Sequence, residues 1–236
     1  MKRFILALVL GAYSLSAQSA LIDRGGGLIY DDVLDVTWLQ DANYGAGSIY
    51  DDLSSTTDGK MSWDNAVAWA ANLSYYDSVR DVAYDNWRLP VLIDIGNDGC
   101  NFSYDGTDCG FNVDTSTGEL AHLFYLTLEN LADFDTSGDS QPGGGLSNSG
   151  PFININTIGA AYHYGTEYAP DSDLAWHFGF AGGTTSFGSK SSSGFAWAVM
   201  DGDVAPAPAS LSEPGTLALF GIGLAGLGLA RRRKIT

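Results

Sequence analysis

The sequence predicts an α+β body held between two apolar targeting segments. Three observations carry this. Two stretches, opening at Ser62 and Glu119, repeat apolar residues at helical spacing. The second half of the body breaks into short runs rich in aromatic and β-branched residues, separated by glycines. Both ends of the 236-residue chain carry apolar runs beside basic residues, and six of its 11 Lys and Arg lie there: Lys2, Arg3, Arg231, Arg232, Arg233 and Lys234.

The elements follow in order. Leu28 to Tyr30 and Val33 to Leu39 read as short strands around Asp31-Asp32. Residues 43–60 are rich in Gly, Ser, Thr and Asp and read as loop. Ser62 is placed to cap a helix, because Trp63, Ala66, Val67, Ala70 and Leu73 fall on one face. Trp87-Arg88-Leu89 is a short strand stopped by Pro90. Glu119 opens a second helix with Leu120, Leu123, Phe124, Thr127, Leu128 and Leu131 on one side. Five strands follow: Phe152 to Ile158, Ala160 to Tyr164, Leu174 to Phe180, Thr184 to Phe187 and Phe195 to Met200. Helices followed by several strands give an α+β plan, and no internal repeat stands out.

Composition bounds the function. Six Trp, 12 Tyr and 11 Phe supply a core and exclude a disordered chain. From Leu21 to Ser212, five basic residues stand against 27 acidic ones, a net of −22. Such a body repels phosphate backbones, which excludes nucleic acid as a partner. It suits a secreted, highly solvated protein and offers many oxygens to hard cations.

The ends read as addresses. Met1-Lys2-Arg3, the apolar run Phe4 to Ala12 and the small residues to Ala20 make residues 1–20 a signal peptide for signal peptidase. A Pro/Ala linker follows the body at residues 205–212. Residues 213–236 contain Glu213, Pro214 and Gly215, an apolar stretch to Ala230, then Arg231, Arg232, Arg233 and Lys234. The 15 residues from Thr216 to Ala230 make a helix of about 22 Å, short for a bilayer core of about 30 Å unless the arginines snorkel. The basic cluster places the C-terminus in the cytoplasm. This order resembles the PEP-CTERM sorting signal, with Ser212 where the family has its first proline. The resemblance implies processing by an exosortase in a Gram-negative envelope, with a transient single-pass transmembrane anchor before release to the cell surface or extracellular matrix. An ordinary C-terminal tail anchor is the alternative.

The body carries a second resemblance. Trp38-Leu39-Gln40-Asp41, Met61-Ser62-Trp63-Asp64 and Asn86-Trp87-Arg88-Leu89-Pro90 recur in the Lcl C-terminal family. So do Glu119-Leu120-Ala121-His122-Leu123, Gly150-Pro151-Phe152, Gly165-Thr166-Glu167-Tyr168-Ala169-Pro170 and Ala196-Trp197-Ala198-Val199. The match spans about residues 27–204. The same pattern is similar to C-type-lectin-like and formylglycine-generating-enzyme domains. It implies a C-type-lectin-like fold, two helices on a twisted antiparallel sheet. The chain departs from its relatives at His163-Tyr164, where they carry Trp-Ser, and at Met200-Asp201, where they carry Arg-Pro.

Four groups of residues are candidates for chemistry. Cys100 and Cys109, an even pair in an exported protein, read as a disulfide; a redox or copper-binding pair is the rival. Asp133, Asp135, Ser137 and Asp139 with Gly138 form the first half of a calcium-loop pattern. Gly144 stands at its closing position, so the segment reads either as a weak calcium site or as a solvated acidic loop. Asn97-Asp98 with Asp105 and Asp108 is a weaker calcium candidate. His122, His163 and His177 lack ligand or triad spacing and read as packed side chains. Gly25-Gly26-Gly27 lacks the lysine of a phosphate cradle, and no Gly-x-Ser-x-Gly elbow occurs. The expected function is that of an exported, non-catalytic binding or structural protein with a glycan or exopolysaccharide ligand. Calcium is the one cofactor expected. The alternative is an extracellular polysaccharide-acting enzyme, although no spacing singles out a carboxylate pair.

Overall fold

Turn chemistry at glycine and aspartate decides where most of the strands begin and end. The computed structural model describes residues 21–52, 58–94 and 102–204. In chain order the elements are β1 (Leu21–Gly25), β2 (Leu28–Asp31), β3 (Val36–Leu39), β4 (Lys60–Met61), α1 (Trp63–Ala71), β5 (Tyr75–Asp77), β6 (Val82–Tyr84) and β7 (Gly110–Phe111). Then come α2 (Glu119–His122), a π-helical turn (Leu123–Thr127), β8 (Tyr162–Glu167), β9 (Leu174–Gly179), β10 (Thr184–Ser189), β11 (Gly194–Phe195) and β12 (Val199–Asp201).

Gly25, Gly26 and Gly27 take φ of 71°, 65° and 79°, which lets β1 turn tightly into β2. The side chain of Asp31 then accepts from the backbone N–H groups of Val33 and Leu34, both at 3.1 Å. That local turn, with Asp35 at φ 52°, delays β3 to Val36, three residues after the predicted start. Ser62 caps α1 as expected, its hydroxyl accepting from the Asn65 N–H at 3.3 Å. The helix buries Trp63, Ala66, Trp69 and Ala70.

The architecture is mixed α+β, mostly sheet, with two short helical segments. It corrects the single antiparallel sheet expected. A four-stranded sheet runs β1-β2-β3-β12 and a six-stranded sheet runs β4-β11-β8-β9-β10-β7; β5 and β6 form a separate hairpin. The β11–β8 pair is parallel, Phe195 opposite Tyr162. The predicted strand Phe195 to Met200 splits between the two sheets. Ala196, Trp197 and Ala198, all buried, carry the chain across. Trp197 packs edge-on to Trp38 at 5.1 Å, and Trp176, Tyr162, Tyr164, Phe124, Phe178 and Phe180 complete the fully buried aromatic core.

Three other expectations are corrected. The second helix is shorter than its apolar stripe: the Leu128 N–H bonds to the Leu123 carbonyl at 2.8 Å, five residues back. This wider turn shifts the following residues off the stripe. Glu129 at φ 55° then ends the run, and Leu131 is exposed. Phe152 to Ile158 is no strand, because Asn154 sits at φ 58°; only Ile153 pairs, parallel to Asp41. Trp87 to Leu89 reduces to one bridge, Arg88 to Val199.

The unit containing this body ends at Val204. The predicted signal helix at 1–20, the linker at 205–212 and the membrane helix within 213–236 lie outside the described residues. Among the described residues no helix is long and apolar enough to cross a membrane.

Candidate functional site

Leu39, Gln40 and Asp41, at the end of β3, line an open cleft of about 210 Å³. Its walls include Gly27, Gln40, Asp41, Tyr44, Tyr75 and Ile153. The backbone is held on both sides. The Gln40 N–H donates to the Gly27 carbonyl at 2.9 Å, and the Ala42 N–H donates to the Ile153 carbonyl at 3.0 Å. The Gln40 side-chain amide donates to the Pro151 carbonyl at 2.9 Å. Asp41 Oδ1 accepts from the Asn43 N–H at 2.9 Å and from Asn154 Nδ2 at 3.0 Å. These contacts fix the carboxylate by one oxygen and leave Oδ2 to accept from a ligand.

The other wall is aromatic. The Tyr75 hydroxyl donates to the Gly26 carbonyl at 2.7 Å, so the glycine turn seats it. A Cβ on Gly27 would collide with that same hydroxyl. The Tyr75 ring meets Tyr44 edge-on at 5.2 Å and Trp87 at 5.9 Å. Burial, then the neighbouring Tyr44, Asp77 and Asp41, raises the Tyr75 pKa, so it stays a neutral donor. Tyr44 is 44% exposed and forms the open lip. The cleft sets an aromatic pair beside a carboxylate oxygen and an amide, so it offers both apolar contact and hydrogen-bond acceptors to a ligand.

Sequence reasoning missed this cleft. Tyr44 and Tyr75 lie 31 residues apart in segments without pattern, and their rings meet only in the folded chain. The motif tryptophans Trp38, Trp63, Trp87 and Trp197 are buried and serve packing.

The predicted site residues are dispersed. Asp135 Oδ1 accepts from the N–H groups of Ser137 (2.8 Å) and Asp139 (3.0 Å), closing the loop on itself. Asp133 lies beside Gly182, and the oxygens of Asp133, Asp135 and Asp139 form no converging group among the described residues. Cys109 is fully buried and its sulfur accepts from the Phe102 N–H at 3.4 Å; Cys100 lies outside the described residues. Asp105 accepts from the Ser103 hydroxyl at 2.6 Å, and Asp108 is buried; Asn97 and Asp98 lie outside the described residues.

His163 and His177 face each other across β8 and β9, beside a small cavity of about 120 Å³. Burial lowers the His163 pKa against the pull of the Met61 carbonyl, 3.1 Å from Nε2. Burial, and then His163, brings His177 down to about 4. Among the described residues no third ligand converges with the two rings.

Glu213, Pro214, Gly215, Arg231, Arg232 and Arg233 lie outside the described residues, within a segment that the comparison with known families addresses as a whole. Residues 210–234 match the PEP-CTERM protein-sorting motif. The chain carries a PEP-CTERM sorting signal. The motif indicates an exported protein targeted to an exosortase. No curated protein and no solved structure matches the chain.

Proposed function

We propose that the PEP-CTERM protein is a non-catalytic binding or structural component of the cell surface or exopolysaccharide layer, and that its cleft takes a short neutral glycan segment. The cleft carries the proposal: Tyr44 and Tyr75 offer faces for sugar C–H groups, while Asp41 and Gln40 offer acceptors for hydroxyls. The net charge of −22 across the body disfavours an anionic polysaccharide. Signal peptidase would remove residues 1–20, and the C-terminal helix would anchor the chain in the inner membrane of a Gram-negative cell until the exosortase acts. The Lcl C-terminal resemblance, and with it a C-type-lectin-like plan, belongs to the same proposal and rests on the sequence motifs.

The test is binding of purified host exopolysaccharide and of neutral oligosaccharides, followed by titration calorimetry. Tyr44→Ala should weaken binding about tenfold, the value of one aromatic stacking contact. Tyr76→Ala, whose ring is 60% exposed outside the cleft, should leave it unchanged. Equal binding by wild type and Tyr44→Ala, or no binding to any saccharide, would refute the assignment.

A further inference from the structure

We propose that Asp51, Asp52, Asp58 and the side-chain oxygen of Asn43 form a binding site for a hard divalent cation, calcium above all. One carboxylate oxygen of each aspartate lies within 4.8 Å of the other two, the only such convergence among the described residues. Lys60 Nζ stands 3.3 Å from Asp58 Oδ2. One ammonium against three carboxylates leaves two negative charges among these four groups, the charge a divalent ion neutralises.

A second observation is independent of the clustering. Asp51 is only 7% exposed. Its Oδ2 accepts from the N–H groups of Gly47 (2.8 Å) and Gly59 (3.2 Å), but its Oδ1 is sealed from solvent and has no hydrogen-bond donor. Asn43 Oδ1 is in the same state. The Asn43 amide donates to the Asp58 carbonyl at 3.2 Å, and Asn43 Oδ1 lies 2.0 Å from where a Cβ on Gly59 would be. Asp51, whose Oδ2 accepts from Gly59, and Asn43, whose Oδ1 crowds it, therefore meet the same glycine, which takes φ 80°. Buried oxygens without donors are costly. A cation supplies both with a partner.

The donor set selects the ion. Carboxylate and amide oxygens, with no imidazole or thiolate among them, suit a hard cation. Calcium tolerates the irregular geometry of a loop, whereas magnesium demands a near-octahedral shell. Bound there, the ion would tie Asn43 to both ends of the segment between Asp52 and Asp58, just before β4 and α1. The fourth position is a neutral amide, so affinity should be of extracellular grade, on the order of 10⁻⁴–10⁻³ M.

The test is calcium titration of the full chain in mild detergent, by calorimetry and thermal melt. One calcium per chain should bind, and calcium at about ten times its Kd should raise the melting temperature by a few degrees. Magnesium at equal concentration should give less than half that shift. Asp52→Asn and Asp58→Asn keep the side-chain shape and should each weaken binding about tenfold, with the calcium-free melt nearly unchanged. Asp135→Asn, in the self-closed loop, should bind as wild type. No binding at about ten times the upper Kd would overturn the proposal. So would wild-type affinity in both Asp52→Asn and Asp58→Asn, or loss of binding in Asp135→Asn alone.

Discussion

Arg88 and Glu119 form a two-pronged ion pair, Nη1 to Oε2 and Nη2 to Oε1, each at 2.8 Å. The pair ties the segment after β6 to the first residue of α2. Glu119 Oε2 also accepts from the Val91 N–H at 2.7 Å. The backbone of Arg88 bridges to Val199 of β12, so one residue links the four-stranded sheet to the second helix. Burial alone would lower the Arg88 pKa; the hydrogen bonds and charges of Glu119 and Asp201 overcome it and raise it, so the guanidinium stays charged.

Glu119→Gln should therefore destabilise the body by about 2–3 kcal/mol, because it leaves the half-buried guanidinium without its forked partner. Asp201 also receives Arg88, at 2.6 Å, but its side chain is 78% exposed. Asp201→Asn should cost under about 1 kcal/mol. Urea unfolding of the two variants should separate these values; equal losses would show that the fork is no stronger than the exposed pair.

The two core tryptophans should respond differently to the same change. Trp197 Nε1 donates to the Leu39 carbonyl at 2.7 Å, whereas Trp38 Nε1 is buried with no partner. Both lose ring volume on replacement by Phe. Trp197→Phe also strands a buried carbonyl, so it should cost about 1 kcal/mol more than Trp38→Phe. Denaturant midpoints with unchanged slopes would measure the difference.

What was legible in the sequence follows this division between local and tertiary causes. Ser62 and the spacing of Trp63, Ala66 and Ala70 predict α1 because capping and periodicity are local. The stripe from Leu120 to Leu131 does not reveal the π turn. The turn coincides with contacts made far away in sequence, where the Tyr125 hydroxyl donates to Gly183 and accepts from the Asn112 N–H. The alternation from Phe152 to Ile158 reads as a strand, yet positive φ at Asn154 breaks it, a conformation asparagine tolerates without announcing it. Asp51, Asp52 and Asp58 look like solvated loop residues, since convergence and burial are properties of the folded chain.

Stability should fall as the solution is acidified through the range set by His177. Its folded pKa, about 4, lies below the 6.5 of the unfolded chain. Unfolding then takes up a proton between those values, so the folded state weakens as pH drops from about 6.5 to about 4. The loss should be on the order of 3 kcal/mol at most. His177→Gln should flatten that part of the pH–stability curve relative to wild type; parallel curves would contradict it.

Cys100 and Cys109 should be joined in the exported protein. Denatured, unreduced protein should show no titratable thiol, and two after reduction. Replacing both by Ser should cost about 2.7 kcal/mol, the chain entropy of a 10-residue loop. Two thiols before reduction would refute the bond.

The C-terminal sorting motif should be removed from the mature chain and not persist as an anchor. Intact-mass analysis of the protein from its native host tests it most directly. The mature chain should lack Arg231, Arg232, Arg233 and Lys234, with the new terminus near Glu213 and Pro214, and deletion of the exosortase should restore the full tail. Full-length chains held stably in the inner membrane of exosortase-competent cells would contradict the account.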